Sequence, residues 1–249
     1  MVSSRSPWLA SAAYLYVLSL DSLSLAWEYL RRNPTYQALW RDPACRANRS
    51  AASRWSLEDW EDPQRDARTA EPTWSPLPRV SLARYTDIET APPFEFWGIP
   101  GRKSLIHDGH ALRLSVRQRW RRLRATLEST LAVAEPYGYL VPAGRKLDDC
   151  CRAVREFEAI YQISNPGTPL AVKRPGRLSV LHMRILQALD GAEAGASHRD
   201  IGSAVLGERV VQARWSHDGE LRAQVRHWLR RGRQLSGGGY QTLLETNSR

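Results

Sequence analysis

Leu178, Leu181, Ile185 and Leu189 recur at i, i+3, i+7 and i+11, with Leu186 beside them. This spacing makes one apolar face of a helix of about three turns. It fixes how the following residues can fold. Gly191 and Gly195 are expected to break the helix. Ser197 is then placed to cap a second helix, and Asp200 follows at the spacing of a capping box. Ile201 and Val205 lie one turn apart with small Ala204 between them, and Gly207 suits the stop. A further helix is expected after Asp218, burying Leu221, Val225, Trp228 and Leu229. On it, Arg222, Arg226, Arg230 and Arg233 form a second stripe, and Gln224, His227 and Arg231 a third.

Two readings of the arginine stripe stand side by side: a solvated helix face, or a grip on nucleic acid. The chain carries a formal net charge of +10, and the stripe follows a short capped helix. Both facts favour nucleic acid. Arginine binds phosphate or guanine bidentately, and glutamine can read adenine. The interval from Gly207 to Asp218 is much longer than the turn of a standard helix-turn-helix. Either a short helix occupies Arg209–Trp215, or the docking geometry is a variant. In the first case Arg209–Trp215 is the recognition helix and the arginine helix grips phosphate.

The run AGASHRDIGSAVLG carries a family resemblance, together with Arg214-Trp215, Leu221-Arg222, Val225-Arg226, Arg230-Arg231-Gly232, Gly239-Tyr240 and Leu243-Leu244. Trp8, Tyr14 and AWEYLRRNPTY at Ala26–Tyr36 carry it at the front of the chain. These stretches resemble proteobacterial regulators of integrative and conjugative elements, of the FseA excision-activator and QseM antiactivator type. Ser236-Gly237 departs from that pattern, which has an apolar residue before the Gly-Tyr pair. The resemblance implies a variant helix-turn-helix that binds promoter DNA. It also implies an activator of excision and transfer genes, or alternatively an antiactivator that binds a related regulator. A related antiactivator is the protein partner it suggests; RNA polymerase is the partner expected for a protein-contact module at the front of the chain, and a second copy of the chain the one that DNA half-sites would imply.

The DNA-binding residues expected on these grounds fall into two groups. Lys173, Arg174, Arg177, Arg222, Arg226, Arg230 and Arg231 supply charge for the backbone. Ser197, His198, Arg199, Gln212, Arg214 and Gln224 are placed for base edges.

The fold class expected is α+β, mainly helical, with an N-terminal helical module, a central β-hairpin region and a C-terminal helix-turn-helix variant. Residues 1–43 form the module. Pro7 opens a helix to about Leu20, Ser22 caps the next, and Asn33-Pro34 starts a third. Three short helices seldom stand alone, so the module docks, either within the chain or on a partner. Residues 44–100 alternate tryptophan with proline and read as an extended connector. Residues 101–163 carry a hairpin turning at Asp108-Gly109, a strand at Tyr137–Val141 and a helix from Leu147. Arg113, Arg117, Arg119, Arg121, Arg122 and Arg124 crowd this region, either for phosphate or as a solvated sheet edge blunted by charge. Residues 164–177 form a linker rich in proline and glycine, and residues 178–249 the DNA-binding domain.

Other classes fit poorly. Trp8–Leu20 imitates a signal-peptide core before Ser24-Leu25-Ala26, but Glu28 to Arg32 continue the helical pattern, and no stretch is long enough to cross a bilayer. Cys45 stands alone and Cys150 and Cys151 are adjacent, so neither a disulfide framework nor a metal site is indicated. Nucleotide-binding, serine-hydrolase and zinc-protease motifs are missing from the sequence. Arg226, His227, Arg230 and Tyr240 imitate a tyrosine recombinase set but are too close in sequence to surround a phosphate. The expectation is a cytoplasmic, nucleoid-associated regulator that is not an enzyme and needs no cofactor.

Overall fold

The computed structural model describes residues 7–75, 80–86, 93–107, 111–117, 122–131, 134–141, 143, 147–162, 176–216 and 219–246. Lys173, Arg174, Asp108-Gly109, Arg119 and Arg121 lie outside the described residues. The architecture is α+β and mainly helical, as expected, with one mixed five-stranded sheet. The chain forms two compact units. One combines the described parts of Met1–Ser75 and Arg174–Asn247, and the other lies within Pro76–Lys173.

The first unit begins with 3₁₀ turns at Pro7–Leu9 and Ser11–Ser19, where a regular helix to Leu20 was expected. Helix α1 (Ser22–Leu30) follows, capped by Asp21 and not by Ser22: the Asp21 carboxylate accepts from the Ser24 amide. Helix α2 (Pro34–Arg41) has Asn33 as its cap, which accepts from the Thr35 and Tyr36 amides. The short helix α3 (Pro43–Ala47) and a 3₁₀ turn at Arg49–Trp55 come next. After the other unit the chain returns as α5 (Arg177–Glu193), α6 (His198–Leu206), α7 (Glu208–Arg214), α8 (Glu220–Gln234) and α9 (Gln241–Thr246).

The two chain ends share one core. The 3₁₀ turns pack on α5 and α6, and α1 packs on α9 and the π turn before it. Trp27, Tyr29, Leu30 and Tyr36 from the front are fully buried, as are Leu186, Ala188, Ile201 and Val225 from the back. Tryptophans of the Pro/Trp-rich stretch divide: Trp55 and Trp74 are buried in this unit, whereas Trp97 in the other unit is 75% exposed. Tyr240 donates its hydroxyl proton to the Trp55 carbonyl at 3.0 Å, which anchors the end of the chain.

Gly191, expected to break its helix, and Gly232, which by its residue type is expected to loosen or end the helix after Asp218, both lie inside their helices. A Cβ on Gly191 would stand 3.0 Å from the Trp8 ring, and one on Gly232 would stand 2.6 Å from Leu189. Both admit a neighbour that any larger residue would displace. Leu178, counted on the buried stripe of α5, is exposed, while Ile185 is buried.

The second unit contains β1 (Val80–Arg84), β2 (Arg102–His107), β3 (Ala111–Arg117), β4 (Arg122–Glu128), β5 (Tyr137–Leu140) and α4 (Leu147–Gln162). The strand order is β2-β3-β4-β1-β5. Strands β1 and β4 run parallel and the other neighbours antiparallel. Strand β1 falls in the proline-dense stretch and was not expected there. Alternation sends Val80, Leu82, Leu114, Val116, Leu123, Ala125 and Leu127 into a core closed by Phe157 and Ile160 of α4.

Candidate nucleic-acid interface

The interface is built on α6. Ser197 and Asp200 form the expected capping box: the Ser197 hydroxyl accepts from the Asp200 amide at 3.2 Å and donates to its carboxylate at 2.6 Å, and that carboxylate accepts from the Ser197 amide at 3.1 Å. The Ser197 side chain is therefore engaged in starting the helix. Gly207, with φ at +99°, then turns the chain directly from α6 into α7. Glycine adopts this conformation without the penalty a Cβ would bring.

A helix therefore does form in the long interval. Val211 is its buried anchor, while Arg209, Val210, Gln212, Ala213 and Arg214 are exposed. Trp215, just after α7, lies over Gly202 of α6, where a Cβ would stand 2.9 Å from the ring. Helix α6 also contacts α8, so it supports both helices.

Helix α8 is buried along Leu221, Val225, Trp228 and Leu229, the face its spacing predicts. Arg226, Arg230 and Arg231 are exposed, and Arg222 and Gln224 are half-buried. An Arg230 Nη lies 3.3 Å from Nδ1 of His227, and Arg231 donates to Gln234 at 3.0 Å. Near the α7–α8 junction, Arg214 is 3.3 Å from Glu220, a pair of two exposed side chains. Gln212 donates to Glu208 at 3.0 Å on the surface of α7. His198 is half-buried and Arg199 exposed in the first turn of α6, and Arg177 is exposed at the start of α5. The α7 and α8 side chains are thus gathered around α6. Arg209, Val210 and Ala213 were not singled out individually from the sequence. The conditional helix at Arg209–Trp215 was the pointer to them that the sequence offered.

The N-terminal segment holds this scaffold from behind. Gln187 of α5 is fully buried and donates to the carbonyl of Trp8, while the Ser11 hydroxyl donates to the Ala204 carbonyl of α6 at 3.1 Å. Arg32 forks onto Asp190 of α5 at 2.6 and 2.8 Å, and the Tyr14 hydroxyl donates to the same carboxylate at 2.6 Å. Arg32 also meets Glu28 at 2.5 Å, and Arg31 meets it at 2.8 Å. Burial alone would raise the Glu28 carboxyl, but Arg32, Arg31 and the Ala67 amide outweigh it and hold it down at about 2. His182 of α5 lies 2.7 Å from the Tyr29 hydroxyl. Burial, and then the charge of Arg231, push its pKa below the usual value.

This is a compact set of helices that presents one short helix and an arginine-lined longer one, the class of a helical DNA-binding unit. Residues 140–245 match a family model described as a T6SS transcription factor, DNA binding domain. Residues 7–60 match a proteobacterial transcriptional regulator-like domain, and residues 86–122 a domain of unknown function. No curated protein matches the chain. The two regulator matches indicate a DNA-binding transcriptional regulator of proteobacterial type and point away from an enzyme. Among the described residues no cluster of side chains could hold a metal ion, and no helix is long and apolar enough to cross a membrane.

Proposed function

We propose that α7 enters the major groove of promoter DNA and that α8 and its neighbours grip the flanking phosphates. The observation that carries this is the exposure of Arg209, Val210, Gln212 and Ala213 on a helix anchored only through Val211. Such a helix can be inserted into a groove without disturbing the core. Gln212 and Arg214 supply hydrogen-bonding edges, and Val210 and Ala213 can meet thymine methyl groups. Arg199, His198 and Gln224 contribute at the margins, and Arg177, Arg222, Arg226, Arg230 and Arg231 position the backbone, with Lys173 and Arg174 leading into the domain.

The regulator is proposed to work in the cytoplasm, bound to the nucleoid, as an activator of excision and transfer genes of an integrative and conjugative element. The FseA and QseM resemblance supports this choice of genes. The match to a T6SS transcription factor supports secretion genes as the competing target. RNA polymerase and a second copy of the chain are the proposed protein partners. An antiactivator that sequesters a related regulator is the other reading; the net charge of +10 disfavours it.

Anisotropy of the full chain on neighbouring promoter DNA, beside a scrambled duplex and across a salt series, tests the proposal. The full chain is required because residues 7–60 share the core of the DNA-binding helices. About five phosphate contacts give a log–log salt slope of roughly −4 to −5. A flat slope and equal affinity for both duplexes would remove the DNA reading, and co-elution with a protein partner without DNA would favour the antiactivator.

A further inference from the structure

We propose that the π turn at Leu235–Gly239 extends the phosphate track of α8, and that at Gly237 the sugar–phosphate backbone of duplex DNA passes directly against the protein main chain. This rests on the DNA-binding function proposed above and adds a contact that no charged side chain makes.

Three consecutive glycines differ in what the protein itself asks of them. Gly238 has φ at +129°, a conformation that suits glycine and few other residues. A Cβ on Gly239 would stand 2.7 Å from the Gln234 carbonyl oxygen, so the fold excludes a side chain there. Gly237 has neither reason. Its φ is not positive, and a Cβ there would meet nothing within 4 Å. Alanine would suit that exposed position better, because glycine gives up the most conformational freedom on folding. Mobility does not account for the glycine either, since the turn is held on both sides. Leu235 and Tyr240 are buried, and the Tyr240 amide donates to the Leu235 carbonyl at 2.9 Å. The side-chain amide of Asn33 donates to the Ser236 carbonyl at 2.8 Å. The use of a missing side chain then lies outside the protein, where another molecule must come close to the main chain.

The surroundings fix the chemistry of that molecule. Arg226, Arg230, Arg233 and Gly237 recur at i, i+4, i+7 and i+11, so the glycine continues the outer arginine line of α8. All four residues are exposed. The line is roughly 16 Å long at the helical rise per residue. No aspartate or glutamate occurs between Glu220 and Glu245, so a polyanion meets no like charge from this stretch. The arginines can follow a phosphate strand along the line, and the glycine lets that strand lie close where the line ends. π turns next to α-helical segments are frequent at functional sites.

The test compares the full-length wild type with Gly237→Ala, Gly237→Leu and Arg233→Gln. Anisotropy uses a random-sequence duplex of roughly four helical turns across a salt series, because a backbone contact carries no sequence information. Gly237→Ala should melt at the wild-type temperature or up to about 3 °C above it, since alanine is the better helix former. It should nevertheless bind the duplex more weakly, and Gly237→Leu more weakly still, by about tenfold at fixed salt. With the strand lifted away from Arg233, the log–log salt slope of Gly237→Leu should become shallower by about 0.9, the change expected of Arg233→Gln itself. Should Gly237→Leu fail to fold, the alanine variant decides. Duplex binding of the glycine variants within about twofold of wild type overturns the proposal. So does a lower melting temperature for Gly237→Ala, which would place the need for glycine inside the protein. A flat slope in wild type removes the DNA reading and this contact with it. A steep wild-type slope that Arg233→Gln lowers and the glycine variants leave unchanged removes the glycine contact alone.

Discussion

Arginine serves the junction behind the DNA-binding helices and the outer side of α8 in opposite ways. At the junction Arg32 is nearly buried, and Glu28 and Asp190 lie within 2.5 and 2.6 Å. On α8, Arg226, Arg230 and Arg231 are exposed; Arg230 lies beside His227, and Arg231 donates to Gln234. A buried charge must be balanced inside the protein, because removing one partner leaves the other stranded away from water. An exposed charge costs little to hold and remains available to a partner. The side chain is the same, so its surroundings decide whether it supports the fold or meets a ligand.

The strongest test of that contrast is Glu28→Gln. It keeps the shape but strips Arg31 and Arg32 of a shared counter-charge, and should cost about 3–5 kcal/mol in chemical denaturation of the full chain. A loss below 1 kcal/mol would mean that the junction behaves like a surface pair. Next comes Gly202→Ala. Its new methyl group would push against Trp215, with an overpacking cost of about 1–3 kcal/mol in thermal melting and a weakened grip on promoter DNA through displacement of α7. Gln212→Ala should leave melting unchanged and relax base preference at one position, by about 1–3 kcal/mol of discrimination in a competition assay over single-base operator variants.

A pH series probes the same junction. The folded pKa of His182 lies below its ordinary value of 6.5. The unfolded chain therefore takes up a proton near 6.5 while the folded chain does not, so stability is complete above 6.5 and falls as the pH drops through it. Glu28 adds a further loss on the way from about 4.5 to about 2. His182→Phe should flatten the first step in denaturation curves and leave the second. The smallest effect is expected for Arg226→Gln on α8: melting within about 0.5 kcal/mol of wild type, and a salt slope shallower by about 0.9 on every DNA sequence. A large stability loss there would erase the difference between the two arginine settings.

Much of the C-terminal helical pattern was readable because its causes are local. The capping box needs only Ser197 and Asp200, three residues apart, and the buried face of α8 needs only the spacing of Leu221, Val225, Trp228 and Leu229. The conditional helix at Arg209–Trp215 appears as α7, since one glycine suffices to join it to α6. Gly191 and Gly232 misled the local reading. A glycine that ends a helix and one that admits Trp8 or Leu189 look the same along the chain. Asp21 took the cap expected of Ser22 because it lies one residue earlier with an equally good acceptor. For the base-reading side chains the sequence narrowed the choice to residue types, and exposure on α7 added Arg209, Val210 and Ala213 to the candidates.

Local sequence determined the helix faces, the hairpin partners β2 and β3, and the concentration of arginine in two stretches. These follow from spacing, capping and charge over a few residues. Tertiary structure alone decided that Trp8, Ser11, Tyr14 and Arg32 close the core of α5 and α6, across more than 150 positions of chain. It also decided that Arg113, Arg117 and Arg124 sit on interior strands. No local preference specifies such pairings. They arise because apolar faces and buried charges must find partners, and the partner that fits can come from anywhere in the chain.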